Sequence, residues 1–134
     1  MQYIVMLLIV IGLAASDFLT GFCKAYVLDM ISSAKMRKGG VNKFCEIIVM
    51  TTAIGITIGF DYLGQYYDSS KLTDIAGAVT AVSVFGYIVV MEIISILENY
   101  AAINPDASWI RPILKRLKHI ENIEDKETED KKDG

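Results

Sequence analysis

Three stretches of this chain are apolar for the length of a membrane crossing. A hydrocarbon core about 30 Å thick takes about 20 residues of helix at roughly 1.5 Å each. The first stretch, residues 3–27, runs IVMLLIVIGLAAS after its opening tyrosine and is broken only by Asp17 and Lys24. The second, 44–60, reads FCEIIVMTTAIGITIGF with Glu46 near its start. The third, 75–97, reads IAGAVTAVSVFGYIVVMEIISIL, and Glu92 is its one charge. Buried helices of a small soluble bundle are the alternative, but such helices need a polar stripe toward water, and these have almost none. The expected fold is an all-α membrane protein with three transmembrane helices.

Length and charge fit that reading. The chain has 134 residues, enough for one domain and too few for two large catalytic lobes. Only 22% of its residues are charged, and the last 14 alone hold seven acids and three lysines. Residues 1–120 are therefore read as the membrane domain. The stretch 121–134, ENIEDKETEDKKDG, has one apolar residue and no periodicity, which cannot bury enough surface to offset its ordering entropy. It is expected to be a disordered charged tail.

Lysine and arginine set the topology, since short loops rich in them stay in the cytoplasm. The segment 28–43 holds Lys35, Arg37, Lys38 and Lys43 against Asp29 and should be inside, with Gly39-Gly40 as a turn before the second span. The segment 61–74 holds Asp61, Asp68 and Asp74 against Lys71, and its tyrosines suit an outer interface. Ala14-Ala15-Ser16 resembles a signal-peptidase site, but no positive n-region precedes it. A retained first helix is expected, with the N-terminus out and the C-terminus in.

After the third span, Trp109, Ile110, Ile113, Leu114, Leu117 and Ile120 recur at helical spacing among Arg111, Lys115, Arg116 and Lys118. The segment 108–120 is a basic amphipathic helix too short to span, capped by Asn104 or Ser108, with Pro112 in its first turn or two. Trp109, Arg111, Lys115, Arg116 and Lys118 suit the headgroup region of anionic lipid, and packing on the other cytoplasmic segments is the equal alternative. His119 is expected on the solvated side.

Little here points to chemistry. Cys23 and Cys45 are in neither disulfide nor zinc spacing, and the chain has one histidine, no phosphate-binding loop and no Ser/His/Asp arrangement. No catalytic residue, metal or cofactor is expected. Basic residues explained by topology leave nothing to support nucleic-acid binding.

The informative residues are the polar ones inside the spans. Gly12, Ser16, Thr20 and Lys24 are spaced by four, with Asp17 and Gly21 alongside, so one face of the first helix collects the small and charged side chains. Thr51, Gly55 and Gly59 on the second helix permit close helix approach, as do Gly77 and Ala81 on the third. Glu92, Ser95 and Asn99, with Glu98 beside them, form a polar face near the end of the third. An isolated charge in hydrocarbon costs at least about 2.5 kcal/mol, so these groups must meet protein, headgroups or water. Asp17 could pair with Lys24 or mark a kink, and Glu92 could bond a neighbouring helix. Alternatively the polar faces meet between subunits and line a water-filled lesion.

Three motifs occur in order. Asp17-Phe18-Leu19-Thr20-Gly21-Phe22-Cys23-Lys24-Ala25 follows the first apolar run, Ser32-Ser33-Ala34-Lys35-Met36-Arg37-Lys38-Gly39-Gly40 with Lys43 forms the basic segment, and Glu92-Ile93-Ile94-Ser95-Ile96-Leu97-Glu98-Asn99 precedes a Pro-containing segment and a short helix. Together they resemble the toxin-secretion and phage-lysis holin family over roughly residues 1–120, the charged tail lying outside. The resemblance implies a multi-pass protein of the bacterial inner membrane that homo-oligomerises and permeabilises the bilayer, releasing an endolysin or a large toxin, with no catalytic residue or cofactor. Asp17, Thr20, Gly21, Lys24, Glu92, Ser95, Glu98 and Asn99 carry the family motifs. The competing class is a non-lytic membrane protein: an antiholin, an immunity protein or an accessory subunit of a larger complex.

Overall fold

The computed structural model describes residues 1–68, 71 and 80–130, with 121 and 123–130 described by backbone alone. Its helices are α1 (Gln2–Val27), α2 (Ser33–Tyr66), α3 (Val82–Ile103) and α4 (Ile110–Asp130), and there is no strand among the described residues. The protein is all-α, and α1, α2 and α3 are each long and apolar enough to cross a membrane.

α1 covers the first apolar stretch. It ends in a tight reversal: Asp29 takes a left-handed conformation (φ 52°), its N–H donates to the Tyr26 carbonyl, and the Met30 N–H donates to the Ala25 carbonyl at 2.8 Å. This pair of bonds satisfies carbonyls that a helix end leaves orphaned, with Asp in place of the commoner Gly. Ser32 then caps α2, its hydroxyl accepting from the Lys35 N–H.

The basic segment is therefore not a loop up to Lys43. Once Ser32 nucleates the turn, the helix formers Ala34, Lys35, Met36, Arg37 and Lys38 propagate it. Gly39 and Gly40, expected as a turn, lie inside α2. Gly40 faces α1, where a Cβ would come within 3.8 Å of the Phe18 ring. α3 continues beyond the expected end at 97 to Ile103, and stops before Asn104-Pro105, where the residue preceding proline is steered out of the helical region. The first residues of the expected third span, 75–79, lie outside the described residues.

α1 and α3 run parallel and α2 antiparallel to both: Val10, Met50 and Ile88 form one buried layer and Asp17, Lys43 and Glu92 the next, so the numbering rises on α1 and α3 and falls on α2. α1 packs most extensively against α3. The inward seams follow alternating steps of three and four: Val10, Ala14 and Asp17 are buried on α1, and Met50, Ala53 and Thr57 on α2. Ala14 and Ala53 let backbones approach, the packing expected where lipid offers no hydrophobic drive. Toward the acidic end, Thr57 Oγ1 accepts the Ala81 N–H at 3.2 Å and donates to the Ala53 carbonyl. The large apolar side chains Ile4, Leu8, Leu19, Phe44 and Val49 point outward.

α4 folds back on the end of α3. Ile110 is fully buried, Lys118 pairs with Glu98, and the Tyr100 and Trp109 rings sit 6.3 Å apart. Pro112 falls in the first turn, where a missing N–H is least harmful. The helix continues to Asp130, past the boundary at 120 where disorder was expected. Glu and Lys are strong helix formers, and no Gly or Pro interrupts them there, so a helix already nucleated at Ile110 gains a bond with each added residue. Residues 131–134 of the expected tail lie outside the described residues.

Candidate functional site

About 6–10 Å along the axis from the apolar layer, four residues on from Ile88 and seven from Val10 and Met50 at about 1.5 Å each, the three seams become charged. Lys43 enters from α2. Its ammonium lies 2.8 Å from Asp17 Oδ2 on α1, 2.6 Å from Glu92 Oε1 on α3 and 3.5 Å from Glu46 Oε1 on its own helix. The Glu92 side chain is 1% exposed, Asp17 9% and Lys43 19%, so the ion pairs are drawn out of both water and lipid.

A second tier lies next to the first. The Asn99 amide donates to Asp17 Oδ1 at 3.1 Å and to Thr20 Oγ1 at 3.4 Å, while Lys24 donates to Asn99 Oδ1 at 3.5 Å. Thr20 returns its own hydroxyl to the Asp17 carbonyl at 3.0 Å. Gly21 sits against this contact, where a Cβ would approach Asn99 Nδ2 at 3.5 Å.

One ammonium thus serves three carboxylates, and the account does not balance. Glu46 Oε2 and Glu92 Oε2 are buried with no hydrogen-bond partner among the described residues. Buried acceptors without donors carry a desolvation penalty of about 1–3 kcal/mol each, more when charged. An arrangement short of donors gains from anything that brings water or a further donor to it. That is its chemical capability, and it offers no nucleophile with an activating base.

A model of the bacteriophage holin family matches residues 1–119. The chain belongs to that family. No curated protein and no solved structure is significantly similar to it. The match covers α1 to α3 and the first half of α4, and gives a phage-holin-type, multi-pass protein of the inner membrane from a family that is not an enzyme family.

In this chain, Asp17, Thr20, Lys24, Glu92 and Asn99 converge in the two tiers, with Gly21 at their contact. Ser95 is half-buried on α3, and Glu98 turns outward to Lys118. Asp17 pairs with Lys43, not with Lys24 as its own helix allowed. Gly12 and Ser16 lie outside the seam, and Ser16 bonds the Gly12 carbonyl on an exposed face. The reason is rotational: steps of four advance about 40° each, so the row from Gly12 to Lys24 winds through about 120°.

Thr51, Gly55 and Gly59 also face out of the three-helix bundle, and added Cβ atoms at Gly12, Gly55 and Gly59 meet nothing within 4 Å. Ala81 is buried beside Thr57, and Gly77 lies outside the described residues. Trp109, Arg111, Lys115 and Arg116 are exposed on or just before α4, as is His119. Cys23 and Cys45 are free and exposed. The central cation was missed from sequence, because Lys43 was absorbed into the topology count and Glu46 into the edge of a span. The usable signal is periodicity: Lys43, Glu46, Met50, Ala53 and Thr57 alternate by three and four, so the charged pair continues the buried seam.

Proposed function

We propose that the protein acts as a holin in the strict sense: copies accumulate in the cytoplasmic membrane, associate, and open lesions through which an endolysin or a large toxin leaves the cell. The observation that carries this reading is the donor-poor charge cluster around Lys43, held inside a bundle whose outer surface is apolar. In the single chain the cluster is a closed latch. Its charges satisfy one another only in part, so an assembly that admits water to Asp17, Lys43 and Glu92 relieves the buried acceptors, while the apolar faces stay in lipid.

The outward rows Gly12–Ser16 and Thr51–Gly55–Gly59 supply the contact between copies, since small residues let helices of neighbouring subunits approach. Such contacts gain little until several chains meet, which makes opening depend on concentration and therefore on time. The basic end of the bundle, with Lys35, Arg37, Lys38, Arg111, Lys115 and Arg116, faces the cytoplasm, and α4 lies at that membrane surface.

Inducible expression in a bacterium tests the function. A potential-sensitive dye should report normal polarisation during accumulation and then abrupt collapse, followed by lysis when an endolysin is co-expressed. Sustained polarisation at high membrane levels would place the chain with the non-lytic antiholins, immunity proteins or accessory subunits instead.

A further inference from the structure

The corner between α1 and α2 holds a half-open cavity of about 370 Å³ that borders the latch and extends from it to the reversal after α1. Phe18, Phe22 and Ala25 on α1, Leu28 and Met30 in the reversal, and Met36 on α2 give it an apolar wall. Its polar rim carries Lys24 and Lys35, with Lys43, Asp17 and Asn99 at the inner edge. Lys43 and Asp17 are committed to each other. Among the described residues Lys24 and Lys35 have no ion pair; Lys24 has only its 3.5 Å contact with Asn99, and Lys35 is exposed.

We infer that this cavity binds one acidic phospholipid, its phosphodiester between the Lys24 and Lys35 ammonium groups and its glycerol and upper acyl chains against Phe18, Phe22 and Met36. The volume is within the range of about 300–1,000 Å³ for ligand sites. Position favours a lipid as occupant: the cavity sits where a membrane-spanning helix ends and the basic segment begins, the depth of headgroup phosphates. Two uncompensated cations in a pocket between helices at that depth match an anionic headgroup. The apolar wall favours an amphiphile over a free phosphate, because Phe18 and Phe22 line the cavity and are each more than a third exposed, so acyl chains laid against them extend toward the surrounding bilayer. A zwitterionic headgroup brings its own ammonium, which competes with the lysines for the phosphate.

Native mass spectrometry of the full chain in detergent tests this with phosphatidylglycerol, phosphatidylethanolamine and soluble glycerol 3-phosphate as separate probes. Wild type should retain one phosphatidylglycerol per chain in preference to phosphatidylethanolamine, and glycerol 3-phosphate should not displace it. Lys35→Glu should weaken retention by about tenfold or more, at roughly 1 kcal/mol per unit of charge. Gly39→Leu tests the volume without changing charge: Gly39 lines the cavity with open space at its Cβ, so a leucine there should also expel the lipid, and its higher helix propensity keeps α2 formed. Lys71→Gln, in the acidic segment after α2, should leave retention unchanged. Equal retention of the two lipids, displacement by glycerol 3-phosphate, undiminished binding in Gly39→Leu, or loss confined to Lys71→Gln would each overturn the assignment.

Discussion

Lys43 and Glu92, 49 residues apart, meet at 2.6 Å in the centre of the bundle and join the two helices that run in opposite directions. Lys43 is not the polar group that a hydropathy reading brings forward on α2, yet it is the only ammonium among the described residues that reaches carboxylates on two other helices. Removing it strands Asp17 and Glu92 together in a poorly solvated seam. Loss of one partner of a buried ion pair costs about 3–5 kcal/mol. Lys43→Met should therefore lower thermal stability in detergent by an amount of that order and, by releasing the latch, advance lysis at equal membrane level. A shift below about 1 kcal/mol would mean that the pairs are solvated and do not hold the bundle.

Asn99 should behave as a coupler. Its amide contacts Asp17 and Thr20 while its carbonyl oxygen accepts from Lys24, so it joins α1 to α3 through three modest bonds. Interhelical hydrogen bonds in membranes average about 0.6 kcal/mol and reach about 1.7. Asn99→Ala should destabilise by about 1–2 kcal/mol, and a double-mutant cycle with Asp17→Asn should show an interaction of about 0.5 kcal/mol or more. Strict additivity, or a wild-type lysis curve for Asp17→Asn, would show that this carboxylate shapes neither the fold nor the timing.

Much of this architecture was legible because hydrocarbon imposes a strong length rule. Three apolar runs gave three helices, and the basic segments grouped at one end of the bundle. The helix ends were less legible: Ser32 as an N-cap starts α2 well before its apolar portion, and hydropathy does not register a helix that begins outside the lipid. The polar site was half legible. Asp17, Thr20, Lys24, Glu92 and Asn99 stood out as charges or amides in apolar runs, whereas Lys43 and Glu46 stood at a span edge where charge is ordinary. Which residues share a seam depends on steps of three and four together, and a row spaced by four alone draws in Gly12 and Ser16, which the twist of the helix turns outward.

Gly55 and Gly59 separate packing within a chain from packing between chains. Their Cβ positions are open in the single bundle, so leucine at both should leave its thermal unfolding within about 0.5 kcal/mol of wild type, as for surface positions. Contact between copies at that row would meet two bulky side chains. Gly55→Leu with Gly59→Leu should therefore delay or abolish lysis and reduce cross-linked oligomers at equal membrane level. Unchanged timing would count against close approach along this face of α2.

Orientation gives a prediction independent of lysis. Ser33 opens α2 at the basic end and Tyr66 closes it at the acidic end, and both are exposed. A helix of 34 residues extends about 50 Å, longer than the hydrocarbon core of about 30 Å, so these two positions emerge on opposite sides. In a background with Cys23 and Cys45 changed to serine, Tyr66→Cys should react with a membrane-impermeant thiol reagent on intact cells before lysis, and Ser33→Cys only after the membrane is opened. The reverse pattern would put the lysines of the α1–α2 corner outside, against the rule that holds basic segments in the cytoplasm, and the lipid met by Lys24 and Lys35 would then belong to the outer leaflet.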